Sequence, residues 1–123
     1  MRRLLGHVDK PWGHEELWAL GPNYAGKILF IKAGESLSLQ YHKTKNETIR
    51  LASGRMRLRI GVSAEQLETH ILIPGTSFDI SPHIVHQMEA LEDCTVIEVS
   101  TPQLADVVRL HDRYGRNQVA TDR

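Results

Sequence analysis

Apolar and polar residues alternate with period two along most of this chain, in short runs separated by turn residues, and that pattern predicts antiparallel β-structure. The runs fall at 15–20, 27–32, 36–42, 47–53, 56–60, 68–72, 77–80, 86–90 and 95–100. Between them stand Gly21-Pro22-Asn23, Ala33-Gly34, Ser53-Gly54, Pro74-Gly75, Ser81-Pro82 and Glu92-Asp93, all turn chemistry. Many short strands argue for a sandwich or a closed barrel, which limit exposed sheet edges. Arg55, Arg57 and Arg59 alternate with Met56, Leu58 and Ile60, so one strand carries a solvated basic row outside and an apolar row inside. After Thr101-Pro102 the period changes. Leu104, Val107 and Val108 have helical spacing, which predicts a short C-terminal helix capped by Thr101 and ended by Gly115, then a polar tail over 116–123.

A length of 123 residues gives room for one domain with one core. Fifteen basic residues balance fifteen acidic ones, which points away from nucleic acid or an anionic membrane as partner. No apolar run approaches the ~20 residues that span a bilayer. The apolar start Leu4-Leu5 is broken by Gly6, His7 and Asp9 before a signal segment forms. The single cysteine, Cys94, has no internal disulfide partner; it suits a reducing cytoplasm and reads as packing. Seven histidines are the excess that changes the picture.

Three segments carry it. Along 36–42, Ser36, Ser38, Gln40 and His42 share one strand face and Leu37, Leu39 and Tyr41 the other, so the polar row faces water or a wet cavity. Alternation in 47–51 puts Glu47 on the face of Ile49 and Leu51. A carboxylate there must be paired or bound to a metal, because an isolated buried charge is very costly; Arg50 points the other way. His86 shares its face with Met88 and Ala90 and looks inward. Two imidazoles, one carboxylate and one amide oxygen form a borderline set, suited to zinc, iron, manganese, cobalt or nickel rather than calcium.

The stretch Gly34-x5-Gln40-x-His42-x4-Glu47-x6-Gly54 is similar to the first cupin motif, with glutamine where many cupins have histidine. Gly75-x10-His86 resembles the second, although His83 stands where glycine is usual. The resemblance implies an all-β fold, the double-stranded β-helix (cupin or jelly-roll barrel). It also implies one divalent metal ion, zinc first, with Gln40, His42, Glu47 and His86 as ligands. Lys10-Pro11-Trp12-Gly13, Leu37-Ser38-Leu39-Gln40 and Asp112-Arg113-Tyr114-Gly115-Arg116 occur in matching order. Jointly these motifs resemble the C-terminal cupin domain of type II mannose-6-phosphate isomerases over 8–116. That family often carries a guanylyltransferase domain in front, whose Gly-rich nucleotide loop has no counterpart here, so nucleotide-sugar synthesis is not expected. Departures include Lys43 and Thr44 where the family commonly has further histidines, and Arg50 where the family has an apolar strand residue.

The resemblance implies interconversion of mannose 6-phosphate and fructose 6-phosphate. Such chemistry needs a Lewis acid at the carbonyl, a base to move a proton between neighbouring carbons, and cations for the phosphate. Lys43, Lys45, Arg113 and Arg116 are the phosphate candidates. His83, whose ordinary pKa is near neutrality, is the candidate base, and Asp79 a weaker one. A non-catalytic metal-dependent sugar-binding or regulatory cupin is the alternative, and a metal-dependent oxidase or dioxygenase a third. Small cupins commonly pair, so a homodimer is expected, with residues 1–20 as the segment suited to exchange. Trp12 and Trp18 read as anchors pinning the N-terminal segment, and His111 as a contact near the end of the predicted helix.

Overall fold

The computed structural model describes residues 6–115. These form eleven strands: β1 (Gly6–Lys10), β2 (Gly13–Leu20), β3 (Ala25–Ile31), β4 (Leu39–Tyr41), β5 (Glu47–Ser53), β6 (Met56–Gly61), β7 (Leu67–Leu72), β8 (Ser77–Ile80), β9 (Val85–Ala90), β10 (Cys94–Ser100) and β11 (Val108–His111). They make a six-stranded sheet in the order β1-β2-β3-β10-β5-β8 and a five-stranded sheet in the order β11-β4-β9-β6-β7. The inner faces of the two sheets meet in a core that includes Leu29, Ile49, Leu51, Met56, Leu58, Met88 and Val96.

The alternation explains the burial. In β5, Glu47, Ile49 and Leu51 are buried while Arg50 is exposed. Each fully buried Ile or Leu here stabilises the fold by about 1.5–3 kcal/mol. The arginine row of β6 lies on the outer face of its sheet. Arg57 donates to Glu89 at 2.7 Å and Arg59 to Gln87, both on β9. Cys94 is buried, its thiol donating to the carbonyls of Arg55 and Glu92 at 3.1 Å; burial pushes its pKa up, as a packing residue requires. Gly54 closes the β5–β6 turn at φ 92°, where a Cβ would lie 2.2 Å from the Asp93 carbonyl oxygen. No other residue fits there.

Three expectations change. The predicted helix after Thr101 is absent: 102–107 is a run of turns, and Val108–His111 forms β11 against β4. Leu104 and Val107 line the cleft and Val108 pairs with Tyr41 of β4, so tertiary pairing overrides a weak local helical signal. His111 is therefore a strand residue paired with Leu39, not a helix-end contact. The 36–42 segment is a full strand only at Leu39–Tyr41, with Ser36 in an isolated bridge to Glu89. Among the described residues strand β1 pairs with β2 alone, and its exposed side chains gave no alternation to read. Trp12 is buried, as an anchor should be, whereas Trp18 is half exposed and covers Gly26 from outside. The predicted tail lies outside the described residues.

Candidate metal centre

Both sheets contribute to one cluster. Strand β4 leads into His42, β5 opens with Glu47, and β9 carries His86 opposite Gln40 in the β4–β9 register. His42, Glu47 and His86 are 3%, 4% and 1% exposed, so their polar atoms must be satisfied inside the protein. His42 Nε2 lies 3.6 Å from Glu47 Oε1, and His86 Nε2 lies 3.6 Å from Glu47 Oε2. Neither Nε2 has a hydrogen-bond partner among the described residues.

The other ring nitrogens explain why. His42 Nδ1 is 2.5 Å from the Asp106 carbonyl oxygen, and His86 Nδ1 is 3.0 Å from that of Ile84. A carbonyl only accepts, so each Nδ1 carries the proton and each Nε2 presents a lone pair. This is the arrangement in which histidines ligate metals, with a backbone acceptor orienting the ring. A gap of 3.6 Å is long for a hydrogen bond. It is close to the roughly 3.0–3.4 Å separating donors that share one ion at ordinary bond lengths. The three side chains form a His/Glu group able to hold a metal. Two unpartnered lone pairs facing a carboxylate fit a divalent ion. Gln40 lines the same cleft, its Oε1 accepting from Ser38 Oγ at 2.6 Å.

Electrostatics agree. Burial on its own raises the Glu47 pKa, but His42 and the Lys45 charge outweigh it and hold the carboxyl at about 2. Burial pushes His86 down to about 4, against the opposing charge of Glu47. Both groups are therefore in the metal-binding form near neutrality.

The cleft that His42, Glu47 and Gln40 line has a volume of about 100 Å³. Its walls hold Lys10, Glu15, Lys27, Lys45, Glu98 and Arg109 beside Trp12 and Leu104. Lys45 Nζ bridges Glu47 Oε1 at 3.0 Å and Glu98 Oε2 at 3.1 Å. Burial would lower the Lys45 pKa, but the Glu98 and Glu47 charges raise it well above the lysine range. Glu98 is raised, first by burial and then by Glu47. Lys27 Nζ meets Glu15 Oε2 at 2.9 Å.

The other sequence candidates scatter. His83 is exposed in the turn before β9, with φ 70° and its N–H donating to the His42 carbonyl at 2.7 Å. It is absent from the cleft wall and serves as a turn residue, in the backbone conformation that glycine takes most easily. Asp79, the weaker base candidate, accepts from Thr48 Oγ1 at 2.8 Å on the exposed side of β5 and β8. Lys43 is exposed, and its N–H is held by Asp106. Lys45 is in the cleft but is bound by two carboxylates rather than held open for an anion. Arg113 donates to the Gly34 carbonyl at 2.7 Å, and Tyr114 Oη donates to Glu35 Oε1 at 2.5 Å. These two clasp the C-terminal segment to the turn before β4. Arg116 lies outside the described residues. Glu98 was missed, though its signal is the one that exposed Glu47: alternation puts it on the buried face of Cys94 and Val96.

Two antiparallel sheets closed around an inward His–Glu cluster define a cupin barrel, and solved structures share the fold. KdgF from Halomonas sp. matches with a TM-score of 0.70 at 21% identity, over 79% of this chain and 86% of that one. An RmlC-like cupin from Shewanella frigidimarina matches at 0.68 and 13% identity, over 80% and 84%. Residues 2–112 match the family described as mannose-6-phosphate isomerase C-terminal, and the chain belongs to that family. A mannose-1-phosphate guanylyltransferase of Salmonella montevideo is 31% identical over 118 residues, which are 89% of this chain and 23% of the relative. The ManC guanylyltransferase of Salmonella typhimurium is 32% identical over 114 residues, again 89% and 23%. The chain thus spans about a quarter of the length of these relatives.

Proposed function

We propose that this cupin is a metal-dependent isomerase of phosphorylated sugars, interconverting mannose 6-phosphate and fructose 6-phosphate. The observation that carries the reading is the pair of buried Nε2 lone pairs facing Glu47, with His42 and Glu47 lining a charged cleft. Membership of the isomerase C-terminal family supports the substrate class. His42, Glu47 and His86 would hold the ion, with Gln40 as a fourth donor and zinc the first choice. A divalent ion there supplies Lewis-acid polarisation of the sugar carbonyl and its neighbouring hydroxyl.

The remaining tasks fall to the chain. Lys10, Lys27 and Arg109 line the cleft and replace Lys43 and Arg113 as the cations for a phosphate ester. Lys45 is held between Glu47 and Glu98, which fixes both carboxylates. Glu98 takes the proton-transfer role in place of His83: it is buried on the cleft wall, and its raised pKa makes it a better base than an ordinary carboxylate. Homodimer formation belongs to the same reading.

One observation favours the non-catalytic, sugar-binding alternative. A cleft of about 100 Å³ is below the roughly 300–1,000 Å³ of typical small-molecule sites, so a sugar phosphate requires the cleft to widen. Metal analysis followed by a coupled assay on mannose 6-phosphate separates the two. Bound metal with turnover supports the isomerase; bound metal with no turnover on any hexose phosphate sinks it. His86→Ala and Glu47→Gln should each lower metal affinity at least ~100-fold, beyond what outer-shell changes cost.

A further inference from the structure

We infer that a second divalent-cation site, for zinc or a similar borderline ion, lies on the outer face of the β1–β2 hairpin, held by His7, His14 and Glu16. His7 and Glu16 are direct cross-strand partners. His14 is two residues from Glu16 on the same strand, so all three side chains leave one face of the hairpin. One ligand atom from each lies within 4.8 Å of the others. His7 is exposed and the other two are half-buried, so the small rotations that bring the donors onto one ion meet little resistance.

Neighbours already order the group. The His14 ring stacks on Phe30, with centroids 4.4 Å apart and planes at 21°, and His7 stacks on His14 at 4.6 Å and 24°. The Asp9 carboxylate Oδ1 is 2.9 Å from His7 Nε2. A carboxylate accepts, so the proton sits on Nε2 and the lone pair is left on Nδ1, an imidazole oriented by a carboxylate behind it. The His14–Phe30 stack and this hydrogen bond reduce the side-chain freedom that binding must remove, while the exposed His7 ring rotates off His14 to turn its lone pair toward the shared ion. Two imidazoles and one carboxylate select zinc, nickel or copper over calcium and magnesium.

The position gives the site a consequence. The hairpin that carries it outside supplies Lys10 and Glu15 to the cleft inside. Among the described residues, strand β1 is an edge strand paired with β2. An ion joining His7 to His14 and Glu16 cross-links that edge and stiffens one wall of the cleft.

The test is a zinc titration of the metal-stripped, tag-free chain, followed by NMR of the histidine rings and by calorimetry. Two equivalents are expected, one shifting the His42 and His86 rings and the other shifting His7 and His14. His14→Ala should weaken the outer equivalent at least tenfold and leave the cleft equivalent unchanged; His7→Ala, also a surface change, should do the same. The inference is overturned if saturating zinc leaves the His7 and His14 rings unshifted, or if the His14→Ala titration superimposes on that of the wild type. Both readouts are independent of any turnover in the cleft.

Discussion

Asp106 holds His42 through its backbone carbonyl and orders the turn after it through its carboxylate. The carbonyl oxygen takes His42 Nδ1 at 2.5 Å, while the carboxylate accepts the N–H groups of Lys43, Thr44 and Lys45 at 3.0, 2.7 and 2.8 Å. Burial alone would raise the Asp106 pKa, but these three donors keep it below the usual aspartate range. One residue therefore sets both the ring orientation of a proposed ligand and the path of the chain from His42 to Glu47.

Asp106→Ala should accordingly act on the metal as well as on the fold. Loss of three acceptor contacts resembles loss of a good helix cap, about 1–2 kcal/mol. Metal affinity should fall about 10–100-fold, as for other outer-shell groups. Chemical denaturation and metal competition measure the two effects. A variant that loses stability but binds metal as tightly as the parent would dissociate Asp106 from the site.

The two candidate bases predict opposite results. Glu98→Gln keeps the size of the side chain and an oxygen for Lys45 but removes the basic oxygen; turnover should drop about 100-fold or more with metal content retained. His83→Gly should leave turnover intact and be neutral or stabilising by up to about 1 kcal/mol, because φ 70° costs a residue with a Cβ and costs glycine nothing. A large loss of turnover in His83→Gly, with Glu98→Gln fully active, would reverse the assignment.

Metal-free protein should lose stability on mild acidification. The His86 pKa drops from 6.5 to about 4 on folding because burial penalises the imidazolium. Between those values the unfolded chain binds a proton that the folded chain does not. Stability is thus complete above pH 6.5 and declines as pH falls to 4, by at most about 3 kcal/mol. Glu47 contributes lower down, from 4.5 to about 2. Denaturation midpoints measured from pH 7 to pH 4 should slope downward, with a shallower slope in His86→Gln. Identical profiles for the two proteins would mean that His86 is not the group responsible.

Much of this site was legible because β-structure writes its inner face at every second residue. Glu47 among Ile49 and Leu51, and His86 among Met88 and Ala90, declared themselves that way. Glu98, beside Val96, obeyed the same rule and was passed over because the run reads as a plain core strand. Other partners were illegible for physical reasons. Asp106 acts through a loop carbonyl that alternation does not mark. Lys45 looks like a surface cation until the fold sets it between two carboxylates. The helix expected after Thr101 failed because three apolar residues at helical spacing fit equally well on a loop lining the cleft and an edge strand.

The Glu47–Lys45–Glu98 chain also sets a charge balance. With both carboxylates ionised these three residues together carry one net negative charge, set against the Lys10, Lys27 and Arg109 charges elsewhere in the cleft. A dication reverses the sign to one net positive. On the proposed reading the ion therefore does more than polarise a carbonyl: its binding changes the charge a sugar phosphate meets, and substrate affinity should rise with metal occupancy.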